Sequence, residues 1–138
     1  MDRRLPRCDG KVCLGFALNE HGEVAGFCTR QAPDTIVSRP CYWRNGKGRD
    51  LGILQRGDRG RALALNDAAQ VVGRTGTGPP SGKSHAFVWE RGRLTDLGGL
   101  HGTDWSVALA ITDNGVVLGN SKRTRVSASH AVVWTRSS

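Results

Sequence analysis

Apolar residues come along this chain in short runs, each cut off by Gly, Asn, Asp or Ser, and no run sustains the 3.6-residue period of an amphipathic helix. Phe16-Ala17-Leu18 is followed by polar Asn19-Glu20-His21-Gly22 and then by Val24-Ala25-Gly26-Phe27. The same order returns as Leu63-Ala64-Leu65, Asn66-Asp67-Ala68-Ala69 and Val71-Val72-Gly73. It returns once more as Leu109-Ala110-Ile111, Thr112-Asp113-Asn114-Gly115 and Val116-Val117-Leu118-Gly119. A third run ends on tryptophan in every copy: Cys41-Tyr42-Trp43, Phe87-Val88-Trp89 and Val132-Val133-Trp134. A fourth appears twice, as Asp50-Leu51-Gly52-Ile53-Leu54 and Asp96-Leu97-Gly98-Gly99-Leu100. Such runs read as strands. Arg44-Asn45-Gly46-Lys47 and Glu90-Arg91-Gly92-Arg93 carry hairpin chemistry between them, and Asp113-Asn114-Gly115 can supply a residue with positive φ.

The period is about 46 residues, and four antiparallel strands in that length match one propeller blade. The expected fold is therefore all-β, built of four-stranded, β-propeller-like units that bury their apolar faces against one another. A flat β-solenoid competes, but its coils are usually shorter and rarely carry Asn-Gly hairpins. Residues 1–12 form an N-terminal segment, followed by units at 13–58, 59–104 and 105–138 within one structural domain. The third unit reaches Ser138 four residues after Trp134 and so lacks its fourth strand. Three blades fall short of the roughly four to eight of a closed ring, and open sheet edges invite pairing. The expectation is a homo-oligomer, most simply two chains completing a six-bladed ring, with a piece of a longer array as the alternative.

His85-Ala86-Phe87-Val88-Trp89, preceded by Asn66 and Val71-Val72-Gly73 and followed by Asp96-Leu97-Gly98, resembles the signature of the HAF-repeat family of bacterial proteins. The resemblance runs from residue 13 to 136 and is best in the second unit. Arg39-Pro40-Cys41 and His130-Ala131-Val132 stand at the corresponding places of the other two. It implies a β-rich repeat scaffold, usually extracellular, with no agreed catalytic residues.

Charge narrows the partners. Of 138 residues, 20 are Lys or Arg and 12 are Asp or Glu, a net charge of +8 that favours anionic partners. The plain alternative is a solvated surface that keeps a β protein soluble. The basic residues fall into two sets of loops, Arg30, Arg39, Lys83, Lys122, Arg123 and Arg125 in one, Arg44, Lys47, Arg49, Arg91 and Arg93 in the other. Equivalent loops emerge on one face, so each set is expected to form a positive rim. No run approaches the roughly 18 apolar residues of a membrane span, and the basic start is not followed by the apolar stretch of a signal peptide. The compartment stays open between that reading and the extracellular one.

Catalytic chemistry finds little footing, and neither an enzyme, a metal nor a cofactor is expected. The stretch from Gly76 to Ser84 approaches a phosphate-binding loop, but Thr77 stands where Gly is required and Pro79 and Pro80 lack N–H groups. Cys8, Cys13, Cys28 and Cys41 lack paired zinc knuckles. Buried thiols, one or two disulfides and a metal site are all open for them. Cys28 and Cys41 fall on neighbouring strands, while Cys8 and Cys13, close in sequence, are the expected disulfide of a secreted protein. His85 and His130 occupy equivalent positions, as do Asp50 and Asp96, and both pairs read as structural hydrogen-bonding partners. Trp43, Trp89 and Trp134 read as core between units. Trp105, beside His101 in a loop, stands off the repeat where the preceding unit has Arg59, and two readings are open for it, packing at a junction or an anchor for a partner or sugar ring. The expected function is a non-catalytic binding or scaffold module meeting an acidic protein surface or anionic glycan. Nucleic-acid binding, including interference with a nucleoprotein complex, is the alternative, and a hydrolase of unidentified residues the third.

Overall fold

The computed structural model describes residues 4–6, 12–31, 33, 36–54, 59–76, 83–99, 105–123 and 128–135. Eleven strands and no helix lie among them. β1 (Val12–Leu18), β2 (Val24–Gln31), β3 (Ile36–Arg44) and β4 (Lys47–Asp50) form the first sheet. β5 (Gly60–Leu65), β6 (Val71–Gly76), β7 (Ser84–Glu90) and β8 (Arg93–Asp96) form the second. β9 (Trp105–Ile111), β10 (Val117–Lys122) and β11 (His130–Trp134) form the third, with β10 in the middle. Every pairing is antiparallel and joins consecutive strands.

Turn chemistry explains the hairpins. Asn45 and Gly46 have φ of 52° and 75°, and Arg91 and Gly92 have 52° and 83°. Two successive positive φ values match the right-handed twist of the flanking strands. At the first turn of each sheet the positive φ falls on Gly22, Ala69 and Gly115, so the second sheet places an alanine where the others use glycine.

The register is the same in all three sheets. Gly26 faces Cys41, Gly73 faces Phe87 and Gly119 faces Val132. The leading strand is bulged in each, at Phe16, Leu63 and Leu109, between residues that stay paired. Each bulge turns a carbonyl toward the glycine opposite. A Cβ on Gly26, Gly73 or Gly119 would sit 1.9, 2.0 and 2.0 Å from the oxygens of Leu14, Arg61 and Val107. Only glycine fits there.

The sheets pack face to face through their leading strands, β5 lying against β1–β3 and β9 against β5–β7. Neighbouring residues on a strand point to opposite faces, so one sheet can serve two neighbours. Ala25, Tyr42, Leu51 and Leu54 meet Ala62, Leu65, Val71, Phe87 and Trp89 between the first two sheets. Val72, Ala86 and Val88 meet Ala108 and Val117 between the second and third, with Trp134 partly buried beside them. Trp89 and Trp134 thus lie between sheets, as the sequence pattern suggests. Trp43 does not. It is buried with Cys28 and Cys41 on the far face of the first sheet, its indole Nε1 donating to the Pro6 carbonyl at 2.6 Å.

The cysteine pairing also differs from the expectation. Cys13 is bonded to Cys28, its directly opposed partner across β1 and β2, with Cα atoms 4.0 Å apart. Sequence proximity to Cys8 is overridden by strand register. Cys8 itself lies outside the described residues. Cys41 is buried as a thiol, with Sγ 3.5 Å from the Arg39 carbonyl.

Polar bonds stitch the turns at the same period as the sequence repeat. Asn19 Nδ2 donates to the Asn66 carbonyl at 2.9 Å, and Asn66 Nδ2 to that of Thr112 at 2.8 Å. The Glu20 amide donates to Asp67 Oδ1, and the Asp67 amide to Asp113 Oδ1, both at 2.9 Å. Within each turn Asn19 Oδ1 and Asn66 Oδ1 each accept two backbone amides. These asparagines therefore close their own turn and fix the next sheet's position.

Candidate functional site

A cleft of about 480 Å³ opens where the turns of the first two sheets meet. The β3–β4 hairpin brings Arg44 and Lys47, β4 brings Arg49, the β7–β8 turn brings Arg91, and Ala68 and Ala69 close one side. Tyr42 and Trp89 form its inner wall. Among the described residues no carboxylate lines it.

Two of these side chains are held from behind. The Arg49 guanidinium carbon stands 5.2 Å above the Trp89 ring, and Trp89 leans against Tyr42 with ring centroids 5.4 Å apart. Cation–π contact across the sheet junction thus orients a guanidinium into the cleft. Arg44 Nε lies 3.4 Å from Glu23 Oε2, beneath the hairpin. Glu23 is itself buried and accepts from the Tyr42 hydroxyl at 2.6 Å and from Asn19 Nδ2 at 2.7 Å.

These contacts set the local protonation. Burial of Glu23 alone would raise its pKa, but the bonds from Tyr42 and Asn19 and the charge of Arg44 together hold it below the usual carboxylate value. Burial and the neighbouring Glu23 carboxylate push the Tyr42 hydroxyl well above its ordinary range. A depressed carboxylate stabilises the folded state above its unfolded pKa of about 4.3, and that contribution fades as pH falls toward the lower folded value. Glu23→Gln should therefore flatten the loss of melting temperature below about pH 4 relative to the parent protein. An identical acid limb in both would show that the carboxylate contributes nothing. Tyr42 acts in the opposite limb: its support is complete below about pH 10 and declines above it.

The positive rims expected from the sequence are only partly loops. Arg39 is inside β3, with its guanidinium 3.7 Å from Asp50, while Arg49 and Lys122 also sit on strands. Arg44, Lys47 and Arg91 do converge in the cleft. Arg93 and Arg123 are exposed away from it, and Lys83 precedes β7 at the opposite end of the hairpin. The side chain of Arg30, and His101 and Arg125 as a whole, lie outside the described residues. Trp105 and Lys122 meet elsewhere, with the Lys122 ammonium 5.7 Å from the indole centroid.

The repeated histidine and aspartates have structural positions. His85 Nδ1 lies 3.0 Å from Asp96 Oδ2, and Asp96 Oδ1 accepts the Gly98 amide at 2.7 Å. Asp50 Oδ1 accepts the Gly52 amide at 2.8 Å in the same way. Both carboxylates thus close the Asp-Leu-Gly turn while bonding back to the neighbouring strand. His130, at the equivalent place in β11, is exposed. Ser84 already belongs to β7, so the phosphate-loop-like stretch leads into a strand rather than a helix. Among the described residues no group of three His, Cys, Asp or Glu is placed to hold a metal, and no helix is long and apolar enough to cross a membrane.

Tyr42, Ala68 and Ala69 escaped the sequence reading of this site. Tyr42 precedes the repeated tryptophan and reads as core, and the two alanines replace turn residues. Their shared signal is position, since the first turn of the second sheet stacks on the β3–β4 hairpin of the first. Comparison with protein-family models, curated proteins and solved structures finds no match to this chain.

Proposed function

We propose that the protein is a non-catalytic binding module whose cleft between the first two sheets takes an acidic partner, a carboxylate-rich protein surface or an anionic glycan. The observation that carries this reading is the convergence of Arg44, Lys47, Arg49 and Arg91 from two sheets, with no carboxylate lining the cleft among the described residues. Guanidinium groups bind two oxygens at once and suit carboxylate or sulfate. The aromatic wall is spent on packing, with Tyr42 and Trp89 each only 5% exposed, so the cleft offers charge rather than a stacking surface for bases. That weighs against the nucleic-acid alternative.

The test is a pair of triple variants with equal change in net charge. Arg44→Gln/Lys47→Gln/Arg91→Gln should weaken binding of a polyglutamate peptide or a sulfated hexasaccharide by about tenfold or more at roughly 0.15 M salt. Lys83→Gln/Arg93→Gln/Arg123→Gln should leave it within about threefold. Equal losses would reduce the interaction to net charge and defeat the reading. Binding of unrelated DNA that collapses as salt rises would instead support the alternative.

In its finer architecture, we propose that each sheet is a propeller-like blade of one repeat, with the kinship to HAF-repeat proteins resting on the residues alone. A second copy of the chain is proposed to cover the outer face of the third sheet. Leu118 and Val133 face each other there, 47% and 58% exposed, whereas their register equivalents Val72 and Val88 are 0% and 1% exposed beneath the third sheet. The same face of the first sheet, at Ala25 and Tyr42, is likewise covered by a following sheet. Light scattering should give a dimer mass that Leu118→Lys/Val133→Lys reduces to that of a monomer. A monomeric parent protein would contradict this cover.

A further inference from the structure

A second cleft, of about 290 Å³, lies between the second and third sheets. It sits at the Gly76–Ser84 end of the β6–β7 hairpin, whereas the cationic cleft sits at the Val71–Trp89 end. The two are separate sites. Trp105 lines it together with Asn120, Ser84, Ser129, Arg74 and Lys122, and among the described residues no carboxylate joins them.

This lining differs in kind from the first. One half-buried indole stands among several neutral hydrogen-bonding groups. Indole faces take the C–H face of a sugar ring, and amide and hydroxyl groups match its hydroxyls. The volume is at the small end of ligand sites and suits a single ring rather than an extended chain. Trp105 is also off the pattern: β9 begins with tryptophan where the preceding unit has Arg59. Lys122 lies over the indole and holds it in place.

Arg74 supplies the charge. It stands directly across the β5–β6 ladder from Arg61, so two guanidinium groups share one position of the sheet. Arg61 is committed to the first sheet, 4.7 Å above the Phe27 ring, which leaves Arg74 to the cleft. Partial burial, with repulsion from Arg61 added to it, disfavours the charged form of Arg74. An anion bound beside Arg74 relieves that cost.

We infer that this cleft binds one carboxylated ring of an acidic saccharide, held against Trp105 on the side that Lys122 leaves uncovered, with its hydroxyls bonded by Asn120 and the serines and its carboxylate paired with Arg74. The inference rests on the binding-module reading but uses none of the residues of the first cleft. It also separates the roles of the two sites: the first takes charge, the second recognises a sugar.

The experiment is calorimetric titration of the whole chain with a galacturonic acid trimer, its neutral galactose counterpart and sodium glutamate as a non-sugar carboxylate. The acidic trimer is expected to bind, the neutral trimer about tenfold or more weaker, and glutamate not measurably. Trp105→Ala should weaken the acidic trimer by about tenfold or more, and Arg74→Gln should remove the preference for acid over neutral sugar. The Arg74 substitution stands in should Trp105→Ala fail to fold. Arg74→Gln should leave polyglutamate binding, which the first cleft takes, within about threefold. No binding of the acidic trimer to the parent protein, or equal binding by Arg74→Gln, overturns the inference, while polyglutamate binding reads the first cleft separately. Loss of the trimer in the Arg44/Lys47/Arg91 variant would move the sugar to the cationic cleft and overturn it as well.

Discussion

Replacing Gly73 by alanine is expected to destabilise the protein by roughly 3 kcal/mol or more, a large effect for one added methyl. The new Cβ would stand 2.0 Å from the Arg61 carbonyl oxygen and 2.9 Å from the Ala62 Cα. Both are backbone atoms of β5, so no side chain can swing aside. Relief requires either flattening the bulge at Leu63 or breaking the β5–β6 ladder on which the third sheet also packs. The midpoint of urea unfolding, compared at equal slope, measures the loss. An unchanged midpoint would mean that β5 runs past β6 without its bulge. The same collision at Gly26 and Gly119 makes these positions the most restrictive in all three sheets.

Trp89→Ala is expected to cost about 3–5 kcal/mol, as aromatic truncations in cores do. Its indole is 5% exposed, lies in the cluster between the first two sheets and supports both Tyr42 and Arg49. The loss would thus appear twice, in melting temperature and in affinity for an acidic partner, because Arg49 would lose the ring that orients it. Trp89→Phe should recover much of the stability, since a smaller ring still fills part of the volume. An unaltered melting temperature in Trp89→Ala would show that the first two sheets do not meet through this face.

Much of this architecture is legible in the residues because it rests on local chemistry. Asn45-Gly46 and Arg91-Gly92 specify tight turns, and both take the positive φ values that such turns need. Alternating runs ending on Trp89 and Trp134 point inward as the pattern implies. What stayed hidden depends on register, which no single segment reveals. Cys13 meets Cys28 because β1 aligns them before its bulge, and the attraction of nearby Cys8 in the sequence says nothing of that alignment. Trp43 looks identical to Trp89 in its own unit, yet it faces away from the second sheet toward Pro6. Asn19 and Asn66 read as ordinary turn residues, while their Nδ2 groups reach carbonyls 47 and 46 residues away.

The candidate site shows the same division. Arg44, Lys47 and Arg91 are recognisable as hairpin cations, and equivalent turns were expected to share a rim. Arg49 is placed by its stacking on a tryptophan of the next sheet, a contact visible only once the sheets are packed. Ala69 hides its role most completely: it holds φ of 59° in a turn where the other two sheets use glycine.

Amide chemical-shift mapping of the labelled chain during titration with the sulfated hexasaccharide tests the central claim most directly. Shifts are predicted to concentrate on residues 44–49, on Ala68 and Ala69 and on the turn at Arg91 and Gly92, drawn from two sheets at once. Shifts centred on Lys83 and Arg123, or spread evenly over the basic surface, would contradict a cleft built where the first two sheets meet.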